Sequence, residues 1–334
     1  MPISIMTEKA WFGHNVNFLQ HKIELSDKYD IVICCKSSIY ELLKNEFYTL
    51  SFPFKNIKIG IISMDMEEFL LFFQNENNLG TLLIIVDFEN VSLEYYQKSN
   101  QDAIANNWIF VHPSLSWNQL YFTQLDADLK EGIKKIRFLG HQAHVTPSQI
   151  LEFAQNHSIE ILRLGQIRQH IDMVEPWCRS VDHVIFHLES LRKSDFTSKS
   201  LSNPGGFTYE EACKLSQFVG ASSHLNSIAF LFADGQIPDP HSMAVLSQLI
   251  WYLIDGYHNY REDKPIEKHK LTQYIVHASH RDMDINFWKN NESGRWWMEV
   301  PGHENYWISC TYDDYLEASQ GEFSSKLIHA LNRI

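Results

Sequence analysis

Short aliphatic and β-branched runs recur along the chain, each followed by a polar or amphipathic stretch. Eight of them read as strands: Ile31–Cys35, Ile57–Ile62, Leu82–Val86, Trp108–His112, Lys135–Gly140, Ile159–Leu164, His183–His187 and Ser227–Phe232. Between them lie segments of helical periodicity such as Pro147–Asn156, Glu210–Val219 and Met243–Tyr257. In the last, Leu246, Leu249, Ile250, Leu253 and Tyr257 form one apolar stripe. Thr208 and Glu211 have capping-box spacing, and Gly220 is placed to close the helix that they open. Strand–helix alternation of this kind predicts βαβ units and a mostly parallel sheet covered on both faces.

The pattern changes after residue 270. "LTQYIVHAS" alternates, "FWKNNESGRWWMEVP" has turn residues between two aromatic runs, and "TYDDYLEAS" reads as a short capped helix. These features predict a hairpin added as an antiparallel edge to the sheet, followed by a helix. No linker-like composition interrupts the chain, so residues 1–334 are expected to form one domain, with 270–334 as a C-terminal extension.

Composition narrows the function classes. The chain has 334 residues, 44% hydrophobic and 21% charged, which is ample for a full core. Its formal charge of −13 argues against nucleic acid or an anionic membrane as the partner. No run reaches the roughly 18 apolar residues of a bilayer-spanning helix. The N-terminus lacks the basic-then-apolar pattern of a secretion signal, so a cytoplasmic location is expected. The five cysteines, with Cys34 and Cys35 adjacent, fit buried free thiols in a reducing compartment.

In open parallel sheets chemistry collects at the carboxyl ends of the strands. The candidates there are Asp87 and Glu89, His141 and His144, His187 and Glu189, and Ala233–Asp234. A second group is His277, His280, Asp282 and Asp284 in "HASHRDMD", residue types that bind zinc but whose spacing alone fixes no ligand geometry. Trp288, Arg295, Trp296 and Trp297 suit either a partner surface or a secondary core. No nucleophile elbow, phosphate-binding Walker loop or CxxC pair is present.

Several long segments carry a resemblance. "RLGQIR", "VEPWCRSVDHVIFHLESLRKSD", "SNPGGFTYEEACKLSQFVGASSHLNSIAFLF", "LIWYLIDGYHNYREDKP" and "FWKNNESGRWWMEVP" resemble a divergent formimidoylglutamase-like branch of the ureohydrolase superfamily, which includes arginase and agmatinase. The resemblance covers about 136–315, and the N-terminal third diverges. It implies an α/β, three-layer arginase-like fold: a mostly parallel eight-stranded sheet with a C-terminal antiparallel hairpin extension. It also implies a dinuclear manganese site that activates a hydroxide, with ligands in G-G-D-H, D-A-H-x-D and D-x-D-x-x-D motifs, and a later glutamate that holds the substrate.

Carried over by position, the D-x-D-x-x-D aspartates become His187 and Glu189, and Asp195 matches a downstream acid that is not a ligand. The D-A-H-x-D place falls on "VDFENV", which keeps Asp87 but puts Glu89 and Val91 where histidine and aspartate belong. Met64 falls at the G-G-D-H histidine and Phe232 at the later glutamate. "NPGG" at Asn203–Gly206 matches a loop beside the substrate cleft. Two close divalent cations need several carboxylates, and this set is short of them. The expectation is therefore a ureohydrolase-fold pseudoenzyme without cofactor, which works by binding or scaffolding. Its partner would be a protein or a second copy of the chain, with a small ligand in the old cleft also compatible. The enzyme alternative is a manganese-dependent hydrolase of formimidoylglutamate or a related amidine, and a metabolite sensor is the third reading.

Overall fold

The computed structural model describes residues 10–19, 29–64, 68, 81–86, 106–114, 134–157, 159–198, 203–232, 238–260, 268–278, 283–303, 306–322 and 328. Nine strands form the main sheet: β1 (Val16–Leu19), β2 (Ile31–Cys35), β3 (Ile59–Ser63), β4 (Leu82–Val86), β5 (Asn106–Val111), β6 (Lys134–His141), β7 (Glu160–Arg163), β8 (His183–His187) and β9 (Ser227–Leu231). Their order is β1-β3-β2-β4-β9-β8-β5-β6-β7, and every described pairing is parallel. All eight expected strands are present. The ninth, β1, adds to the edge beside β3; its VNFL mixes polar and apolar positions in a way that a one-face edge strand allows.

Side chains alternate across the pleat and so divide into two cores. Ile31, Ile33, Cys35, Ile84, Val86, Val184, Phe186, Ile228 and Phe230 face one layer. Helices α1 (Ser37–Phe47), α5 (Tyr209–Gly220) and α6 (Pro240–Asn259) supply the other half of that core. Val32, Cys34, Ile85, Phe110, Phe138, Ile185 and Ala229 face the opposite side, where Ile150, Leu151 and Phe153 of α2 (Ser148–Asn156) pack. Short helices α3 (Leu164–Gln169) and α4 (Glu175–Cys178) follow β7. All five cysteines are free and buried. Among the described residues no helix is long and apolar enough to cross a membrane.

Thr208 and Glu211 do form the expected capping box. Gly220 does not end α5 by adopting a left-handed cap; the cap is Ala221 in ordinary conformation. Its reason for being glycine is the crossing of α5 and α6. A Cβ at Gly220 would lie 2.0 Å from the Leu253 carbonyl oxygen, and one at Gly256 would lie 2.1 Å from that of Gln217. The two backbones meet through a reciprocal pair of glycines, a closeness that no larger residue allows.

The expected C-terminal antiparallel hairpin forms, but it does not add to the edge of the parallel sheet. Strands β10 (Leu271–Ala278), β11 (Met283–Asn290), β12 (Trp296–Glu299) and β13 (Trp307–Cys310) make a separate four-stranded antiparallel sheet. It has its own core of Val276, Ile285, Phe287, Trp296, Met298 and Cys310. Helix α7 (Tyr312–Ser319) follows, capped by Thr311 and Asp314, and its Ala318 joins that core. Strands that can pair with one another by short turns satisfy their backbone groups locally, and this leaves none to extend the parallel sheet.

Candidate functional site

β8 is apolar from Val184 to Phe186 and then turns into a 3-10 segment, Leu188–Ser190. His187 closes the strand, and Glu189 on the turn is buried. The neighbours of β8 are β9 and β5. Register pairs Val111 with Phe186, so the next residue, His112, stands beside His187. The two imidazoles meet edge to face with centroids 4.5 Å apart. Burial pushes His187 well below the usual histidine range, and the neighbouring His112 adds to this. His112 Nδ1 accepts a hydrogen bond from the Ser114 backbone N–H at 3.0 Å. Beneath them, His183 stacks on Trp108 at 4.5 Å and pairs with the Ser227 hydroxyl at 2.8 Å.

The positions singled out from the sequence do not all converge here. Met64 is buried at the end of β3, four strands from β8. At about 4.8 Å per strand that is roughly 19 Å, too far for a shared metal cluster. Phe232 follows β9, adjacent to β8, but it packs against the core on the opposite face and meets Phe196 at 5.6 Å. Asp87, Glu89, Val91 and Ala233–Asp234 lie outside the described residues, as do His280 and Asp282. Asp195 is a brace: it accepts from Arg192 Nε at 2.7 Å and from the Tyr209 backbone N–H at 2.8 Å, at the start of α5. Those donors hold its carboxyl below the usual range, against the opposing effect of burial.

His112 was not among the strand-end candidates. Its signal was the end of "WIFVH", where a buried strand meets a polar residue; only the strand order shows that this strand lies against β8. His141 is buried with Nδ1 on the Thr146 hydroxyl at 3.0 Å, whereas His144 is exposed. His277 and Asp284 form an exposed pair at 2.9 Å.

The tryptophans that suited either a partner surface or a secondary core make contacts within the chain. Trp288 and Trp296 are buried. Arg179 lies over the Trp297 ring at 4.9 Å and donates to the Trp296 carbonyl at 2.6 Å. Arg295 Nε reaches Glu175 at 2.9 Å. The cluster joins the antiparallel sheet to α4. A pair of aromatic-rich strands needs a buried face, and this chain supplies it from its own helix layer.

Among the described residues the donors at these strand ends do not fit two divalent cations: two imidazoles, one held neutral, and the single carboxylate of Glu189 fall short of the several carboxylates such a pair needs. Among the described residues no group of three or more His, Cys, Asp or Glu is placed to hold a metal.

No protein-family model matches the chain, and no curated protein matches its sequence. Solved structures do match its fold. The formimidoylglutamase of Bacillus subtilis aligns with a TM-score of 0.63 at 10% identity, covering 76% of this chain and 93% of that one. A formiminoglutamase of Trypanosoma cruzi with Mn2+ gives 0.59 at 13% identity, over 73% of this chain and 96% of its own. An arginase from Bacillus cereus gives 0.52 at 11% identity, over 71% and 100%. The nine-stranded parallel sheet with helices on both faces is thus an arginase-like α/β fold, of the kind the formimidoylglutamases have.

Proposed function

We propose that this chain is a divergent formimidoylglutamase-like member of the ureohydrolase superfamily that has lost its dinuclear manganese site and acts by binding, not hydrolysis. The reading rests on one observation. Where β5 and β8 end side by side, the facing side chains are His112 and His187, two imidazoles in place of an anionic cluster. Phe232 after β9 adds no polar group. Fold likeness supports ancestry only, because function belongs to the site. The occupant of the old cleft would be a protein partner or a small ligand, and the buried free thiols suit a reducing, cytoplasmic setting.

The test is metal content and turnover together. Purified chain is saturated with Mn2+, desalted and analysed by mass spectrometry for metals, then assayed for ammonia or formamide release from formimidoylglutamate and other linear amidines. Substoichiometric manganese and no release are expected. Two retained Mn2+ per chain with product release would overturn the proposal and establish the hydrolase in its place.

A further inference from the structure

The carboxyl ends of β6 and β7 frame a cavity of about 560 Å³. It lies beyond β5, on the side away from β9, and does not depend on whether the β5–β8 ends hold metal. His141, Gln142, His144, Arg163, Arg168 and Gly205 line it. Among its described lining residues there is no carboxylate, in a chain whose formal charge is −13.

Two buried polar side chains stand in the wall of this space. The register of β6 on β7 shifts between Leu139 and His141, and Gly140 there takes φ +85°. A bulge of this kind re-aims the next side chain, and that side chain is His141, only 2% exposed. Its Nδ1 meets the Thr146 hydroxyl, while its Nε2 is buried without a hydrogen-bond partner. Gln142, 7% exposed, accepts from Asn203 Nδ2 at 3.1 Å through Oε1. That bond fixes the amide and leaves Nε2 buried without a partner as well. Buried polar atoms are nearly always paired, so two such orphans lining one cavity point to something that pairs them.

Charge gives the sign of the ligand. Arg168 is already committed, donating to the Gly206 carbonyl and lying 3.5 Å from Glu211. Arg163 is exposed and in no ion pair among the described residues. Its positive field, after burial, helps to hold His141 below the usual histidine range. The Thr146 hydroxyl either donates to His141 Nδ1 or donates to the Gln142 carbonyl at 3.2 Å and accepts from Nδ1; an acceptor oxygen in the cavity selects the first arrangement, in which neutral His141 carries its proton on Nε2.

We propose that this cavity binds a small anion with at least two acceptor oxygens, a carboxylate or a phosphate group, held by Arg163, His141 Nε2–H and the Gln142 amide. The planar guanidinium fork suits either oxyanion.

The experiment is calorimetric titration of the full chain with inorganic phosphate and, separately, with succinate. At least one should saturate at one per chain, and the tighter of the two identifies the anion's geometry. Arg163→Gln, an exposed change, should weaken binding by about 10- to 100-fold, the loss expected for one charge-assisted contact. Lys44→Gln on α1 should leave it unchanged. The His141 Nε2 nitrogen resonance should move on saturation in the parent chain. Failure of both anions to saturate at tens of millimolar, or equal binding by Arg163→Gln and parent, would overturn the assignment.

Discussion

Replacing Arg179 by methionine isolates what holds the antiparallel sheet to the main domain. Methionine keeps much of the aliphatic volume and removes the guanidinium, which lies over the Trp297 ring at 4.9 Å. The Arg179 side chain is 5% exposed, and its guanidinium also hydrogen-bonds to three partners. Nε and Nη2 form a fork on Glu175 at 2.9 and 2.7 Å, Nη1 donates to the Trp296 carbonyl, and Nη2 reaches the Cys310 carbonyl at 3.4 Å. Removing one partner of a buried, hydrogen-bonded pair costs about 3–5 kcal/mol. Glu175 keeps Arg295 at 2.9 Å, which places the expected loss near the lower end, about 3 kcal/mol. Urea unfolding followed by tryptophan fluorescence should show the midpoint falling by roughly 1 M. Arg295→Met, which leaves the Arg179 fork intact, should cost less. The double variant should cost more than both together, because Glu175 then has neither cation. An Arg179→Met chain within about 1 kcal/mol of the parent would refute the reasoning. The tryptophan cluster would then again be a candidate interface with a partner.

Two further outcomes test other parts of the fold. Gly256→Ala sets helix propensity, which favours alanine by about 1 kcal/mol, against a Cβ placed 2.1 Å from the Gln217 carbonyl. Overpacking should win, with a net loss of about 1–2 kcal/mol in urea unfolding, whereas Gly165→Ala, with nothing within 4 Å of its Cβ, should not destabilise by that route. His187 sits well below 6.5 in the folded chain, so below pH 6.5 the unfolded chain binds a proton that the folded chain refuses. Its contribution is therefore present above that pH and lost as pH falls, at up to about 1.4 kcal/mol per pH unit. The fall in unfolding midpoint between pH 7 and pH 5 should be smaller in His187→Asn, and an unchanged fall would contradict the burial argument.

Much of this protein was readable from local pattern. Runs such as "IVICC", "LLIIV" and "HVIFH" are apolar on both faces and short, so they had to be buried parallel strands, and all eight appear where the pattern places them. Thr208 with Glu211 and the stripe from Leu246 to Tyr257 likewise report short-range geometry, which depends only on helical spacing. What local pattern did not decide concerns relations between elements. Gly220 is required by the backbone of α6, not by the end of its own helix. Whether Trp296 faces a partner or a core depended on Arg179 and Glu175, more than a hundred residues away in the chain. The candidate site has the same character: "FVH" and "FHL" each end a strand unremarkably, and only the order β9-β8-β5 brings His112 against His187. Sequence fixes which residues stand at strand ends, because alternation and capping are local. Which ends meet is set by how the strands are ordered in the sheet, a choice made by packing between distant segments, and that choice decides what charge the pocket holds.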